Sequence, residues 1–137
     1  MPDLVGSTLA SRYRVDELLG RGGMAEVYKA WDNWRHYFVA LKVLRDDLAE
    51  DVEFVRRFQH EADALARLAH DHVVRFYALE QTDDLAFIVM AYVAGTTLRK
   101  VISLAKGPLP PEQVLQIIGP LTDALDYAHH EGIIHHT

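Results

Sequence analysis

Four consecutive residues, Gly20-Arg21-Gly22-Gly23, constrain the fold of this chain more than any others, because of what flanks them. Residues 13–19 precede them, and Ala25-Glu26-Val27-Tyr28-Lys29-Ala30-Trp31 follows with polar and apolar residues in alternation, the period of a half-buried strand. The pattern predicts strand, glycine turn, strand. A dinucleotide-binding turn would need the glycines to open a helix, so that reading is disfavoured. Glycines also let backbone N–H groups approach phosphate oxygens with no side chain between. From the pattern alone, an ordinary hairpin turn and a phosphate cradle both stay open.

Asp32-Asn33 supplies turn chemistry before residues 37–44, a nearly continuous apolar and β-branched run that predicts a third strand. From Asp51, a plausible N-cap, the period changes: Phe54, Phe58, Ala62, Leu65 and Ala69 recur every three or four residues, as an amphipathic helix requires. Residues 73–79 and 85–92 read as two more strands joined by the polar turn Gln81-Thr82-Asp83-Asp84. The count is five strands and one helix. Beyond Gly95 the chain turns helical. Thr97 caps a short helix to about Ala105, and Pro110-Pro111-Glu112 opens a longer one that carries Val114, Ile117, Ile118, Leu121, Leu125 and Ala128 to a stop at Gly132. Pro120 should bend that helix. Val93-Ala94-Gly95 stands between the two halves as a hinge.

At 137 residues the chain predicts one compact unit. It has no cysteine, which excludes disulfides, thiolate zinc sites and a cysteine nucleophile, and makes the cell interior the bland expectation. The longest uncharged stretch, residues 85–98, is too short to span a bilayer. Met1-Pro2-Asp3 does not begin a signal peptide, so a soluble, cytoplasmic protein is expected. The net charge is −6, with no Lys/Arg-rich stripe, and nucleic acid is not an expected partner.

Two charged residues fall where apolar ones are expected. Lys42 shares a strand face with Phe38, Ala40 and Leu44, and a buried ammonium needs an anion; the alternative is an edge strand with the lysine reaching water. Glu61 lies three residues after Phe58 and four before Leu65, on the inward face of its helix unless the helix is rotated toward solvent beside Arg57 or Arg67. The two can satisfy each other. Such a pair adds little net stability, which favours a functional role.

These elements, in this order, resemble the N-terminal part of a bacterial-type serine/threonine protein kinase domain. The residues that carry the resemblance run from Gly20 to Asp32, through Val39-Ala40-Leu41-Lys42 and Arg57-Phe58 with Glu61-Ala62, to Leu68-Ala69-His70 before Val73-Val74. They continue with Ile88-Val89-Met90-Ala91-Tyr92-Val93-Ala94-Gly95, then Ala124-Leu125-Asp126-Tyr127-Ala128-His129 and Gly132-Ile133-Ile134-His135. The resemblance implies an α+β fold: a small lobe over residues 1–92 with a five-stranded antiparallel sheet and one helix, a hinge at 93–97, and the start of a helical large lobe at 98–137.

The resemblance also implies roles. The backbone of Gly20, Arg21, Gly22, Gly23, Met24 and Ala25 would cover the phosphates of ATP, Lys42 would pair with the α- and β-phosphates, and Glu61 would hold Lys42. Leu19, Val27 and Ala40 would pack on adenine, with Met90 as gatekeeper and the backbone of Ala91 and Val93 bonding the base edge. Ala25 stands where the family has its third glycine, and Ala91 where it often has glutamate. Where the family continues into His-Arg-Asp, this sequence reads His135-His136-Thr137. Threonine cannot accept the substrate hydroxyl proton, and the family's magnesium ligands have no counterpart here. Weak nucleotide binding without phosphoryl transfer is therefore expected, as is self-association through exposed apolar surface of the long helix. The alternative is a non-catalytic, pseudokinase-like module that binds a nucleotide or a partner kinase. The histidines His129, His130, His135 and His136 fit the family pattern better than a metal site.

Overall fold

The computed structural model describes residues 4–45, 49–82 and 85–134. Strands β1 (Thr8–Leu9), β2 (Tyr13–Arg21), β3 (Ala25–Asp32), β4 (Tyr37–Leu44), β5 (Phe76–Gln81) and β6 (Ala86–Ala91) form one antiparallel sheet in the order β1-β2-β3-β4-β6-β5. Helix α1 (Val52–Ala66) lies between β4 and β5, and α2 (Leu98–Leu104) and α3 (Pro111–His130) follow the sheet.

The sheet has one strand more than the five read from the sequence. Leu9 and Arg12 close a tight turn, the Arg12 N–H donating to the Leu9 carbonyl at 3.0 Å, with Ala10 and Ser11 both at positive φ. Hairpin turns of this kind usually advertise themselves through Asn-Gly or Asp-Gly, and Ala-Ser does not. Strand β5 starts at Phe76 rather than Val73, because residues 70–73 turn: the Val73 N–H donates to the His70 carbonyl and the His72 N–H to His70 Nδ1.

The helix ends follow local chemistry. The Asp51 carboxylate accepts from the Glu53 N–H at the start of α1, and the Thr97 hydroxyl accepts from the Lys100 N–H at the start of α2. Helix α3 starts with Pro111 in its first turn and runs unbroken through Pro120. Gly132, at φ +79°, ends it in a conformation that disfavours other residues.

Strand alternation divides the core between the two sheet faces. Tyr13, Val15, Tyr28, Ala30, Val39, Leu41, Val43, Phe87 and Val89 pack on the outer face. On the inner face Ala25, Leu44, Ala86 and Ile88 pack against Phe58 and Ala62 of α1. Helix α1 covers only this end of the inner face. The rest of that face carries Val27, Ala40, Lys42 and Met90, in register across β3, β4 and β6. Buried Asp32 pins the outer side: Arg12 donates to it through Nε and Nη2 at 2.8 and 3.0 Å, and the amides of Trp34 and Arg35 complete its shell.

Candidate functional site

Lys42 and Glu61 meet. The lysine ammonium on β4 donates to the Glu61 carboxylate on α1, with 28% and 36% of the two side chains exposed. The pair therefore sits at the rim of the inner core and not within it, since α1 buries Phe58 and Ala62 and leaves Glu61 at its open flank. Both ions keep part of their hydration, which lowers the cost of the pair and leaves the ammonium reachable by a second anion.

Register places the other sequence candidates around it. Lys42 stands opposite Val27 on one side and Ile88 on the other, and Val27 stands opposite Gly20. Ala40 lies between Lys29 and Met90 and is 7% exposed, a flat floor two residues from the ammonium. Leu19 occupies an irregularity between Leu18 and Gly20 and is 43% exposed.

The glycine turn closes through one bond, from the Gly22 N–H to the Ala25 carbonyl at 2.8 Å. None of Gly20, Gly22 and Gly23 has positive φ. A Cβ at Gly20 or Gly23 would meet no atom within 4 Å, and one at Gly22 would make only an ordinary contact. The fold does not need glycine at these positions, and without side chains there the backbone of the turn stays uncovered. Arg21 reaches back to Glu26 at 3.8 Å, and Glu26 also accepts from the Tyr28 hydroxyl at 2.6 Å. Met24 turns its side chain to the inner core, while its carbonyl accepts from the Arg45 N–H.

At the end of β6 the Ala91 N–H donates to the Arg75 carbonyl at 2.8 Å, so this amide is committed to the sheet. The Val93 N–H, just beyond, makes no hydrogen bond among the described residues. Sequence reasoning missed two features. The ammonium of Lys29 lies 4.3 Å from the ring of Phe38 and 4.9 Å from that of Tyr92, fastening the segment after β6 to the sheet. The Tyr127 hydroxyl accepts from the Ala69 N–H at 2.9 Å, tying α3 to the loop after α1. Residues 135–137, with His135, His136 and Thr137, lie outside the described residues. No helix among the described residues is long and apolar enough to cross a membrane.

Residues 13–136 match the protein kinase domain family. The chain is 42% identical over 132 residues to the serine/threonine-protein kinase PrkC of Bacillus subtilis, and 43% identical over 131 residues to PknB of Mycobacterium leprae. These matches take in 96% and 93% of this chain but 20% and 21% of the relatives, so the chain spans about a fifth of their length. Among solved structures, the PknI kinase domain of Mycobacterium tuberculosis superimposes with a TM-score of 0.77 at 37% identity, covering 98% of this chain and 55% of that one.

Proposed function

The chain belongs to the protein kinase family, and from that premise we propose that it is the ATP-binding portion of a bacterial serine/threonine protein kinase. The observation that carries the proposal is the ammonium of Lys42, held by Glu61 directly opposite Val27, which in turn stands opposite Gly20 of a bare glycine turn. An ammonium fixed by one carboxylate and still part-exposed suits the α- and β-phosphates of ATP. The backbone from Gly20 to Ala25 covers the same phosphates. Leu19, Val27 and Ala40 supply apolar surface for the base beside Met90.

The Val93 N–H, without a hydrogen bond among the described residues, is a donor for an adenine ring nitrogen. The Ala91 carbonyl is the acceptor for the base's amino group, since the Ala91 N–H is already used. In the complete protein, with magnesium as the family implies, this site presents the γ-phosphoryl group of ATP to a protein hydroxyl. A cytoplasmic location fits the use of ATP.

Titration with a fluorescent ATP analogue tests the reading. Adenosine should displace the analogue and guanosine should not, with affinity weaker than micromolar. Equal displacement by both nucleosides would overturn the assignment of the base edge to Ala91 and Val93.

A further inference from the structure

The inner face of the sheet carries a second lysine that the proposed nucleotide chemistry does not use. Lys29 on β3 stands opposite Ala40, and Ala40 stands opposite Met90, so Lys29 shares a row with the surface offered to the base. Strand alternation puts it on the face of Val27. The residue is half-buried, and its ammonium makes no ion pair among the described residues, although Glu17 faces it across β2 and β3.

In place of a carboxylate this ammonium has rings. Nζ lies 4.3 Å from the centroid of Phe38 and 4.9 Å from that of Tyr92, and the two rings are 6.4 Å apart. Trp31 meets Phe38 in a T-shaped contact at 5.0 Å, which backs the first ring with the sheet itself. A cation within about 6 Å of a ring face is drawn to it, more strongly where water is partly excluded. Phe38 belongs to β4, whereas Tyr92 follows the last residue of β6. Val39 with Ala91 is the last pair of the sheet at this end. The grip on the Tyr92 ring lies past that pair, between the Ala91 carbonyl and the Val93 N–H.

We propose that Lys29 is a positioning residue for the base: by holding the Tyr92 ring it sets how far the Ala91 carbonyl and the Val93 N–H stand from the Ala40 surface. This rests on the reading of Ala91 and Val93 as the partners of the adenine edge. Lys29 acts through Tyr92 and meets neither the base nor the phosphates.

Displacement of a fluorescent ATP analogue by adenosine, guanosine and inorganic tripolyphosphate tests this in the wild type, Lys29→Met, Lys29→Arg and Glu17→Gln. Lys29→Met keeps the length of the side chain and removes its charge. It should weaken adenosine about fivefold while leaving tripolyphosphate within about twofold, a split that general unfolding would not produce. It should also speed hydrogen exchange of the Ala91 amide in the ligand-free protein. Lys29→Arg keeps a cation over the rings and should restore both readouts, and Glu17→Gln should change neither. Equal weakening of adenosine and tripolyphosphate by Lys29→Met would overturn the proposal, because it would put the ammonium on the phosphates. So would the same loss in Glu17→Gln, which would make the lysine one half of an ion pair. A wild type that prefers adenosine to guanosine, with Lys29→Met unchanged, would overturn this proposal alone. A wild type that does not distinguish the two nucleosides would overturn the base-edge reading and this proposal with it.

Discussion

The backbone N–H of Ala69 donates to the phenol oxygen of Tyr127 at 2.9 Å, joining residues 58 apart in sequence. Ala69 belongs to the loop that follows α1, and α1 carries Glu61; Tyr127 belongs to α3. His70 lies against the same ring, with centroids 5.3 Å apart. This bond fastens the helical part of the chain to the loop beyond the helix that positions Lys42.

Replacing that phenol tests the fastening. Tyr127→Phe keeps the ring against His70 and leaves the Ala69 amide without its acceptor. We expect a loss of about 1 kcal/mol in chemical denaturation. Hydrogen exchange at Ala69 should rise well above exchange in the sheet.

Asp32 is the most heavily engaged carboxylate among the described residues. Burial pushes its pKa up, but the hydrogen bonds from Arg12 and from the Trp34 and Arg35 amides outweigh burial and leave it below the usual carboxylate range. Its stabilising contribution is therefore fully present above the unfolded value, about 3.9, and is lost as pH falls through the lower folded value. Denaturation midpoints should drop below about pH 4 in the wild type. Asp32→Ala should cost about 3 kcal/mol at neutral pH, because it leaves Arg12, 14% exposed, without its anion.

Much of this arrangement is legible in the sequence, and what is not has physical reasons. The period change at Asp51 and the caps at Thr97 and Gly132 are local signals, and the elements they mark are present. Lys42 and Glu61 stand out because each places a charge on an otherwise apolar face. The Arg12–Asp32 pair gives no such signal: Asp32 reads equally well as a turn residue, and only the pairing of Tyr13 with Asp32 across β2 and β3 brings Arg12 beside it. Strand β1 is silent because the turn behind it uses Ala10 and Ser11 in a backbone region that favours glycine and asparagine.

That turn yields its own prediction. Ala10→Asn with Ser11→Gly should relieve two left-handed non-glycine residues and raise stability by about 1 kcal/mol. An unchanged thermal midpoint would argue against the β1–β2 turn.

Helix α3 leaves Leu115, Ile118, Leu121 and Leu125 between 37% and 71% exposed. We expect concentration-dependent self-association through this face. Leu115→Glu with Leu121→Glu should reduce it in sedimentation velocity without lowering the thermal midpoint, since neither side chain belongs to either core cluster.

The site itself is tested most directly by following thermal stability during ATP titration of the wild type and of Lys42→Met. The Lys42–Glu61 pair is part-exposed, so the substitution should change intrinsic stability by less than about 1 kcal/mol. A saturable rise in the midpoint with ATP in the wild type, absent from a folded Lys42→Met, is the result this account predicts. An equal rise in both proteins, or no rise in a cooperatively folded wild type, would contradict it.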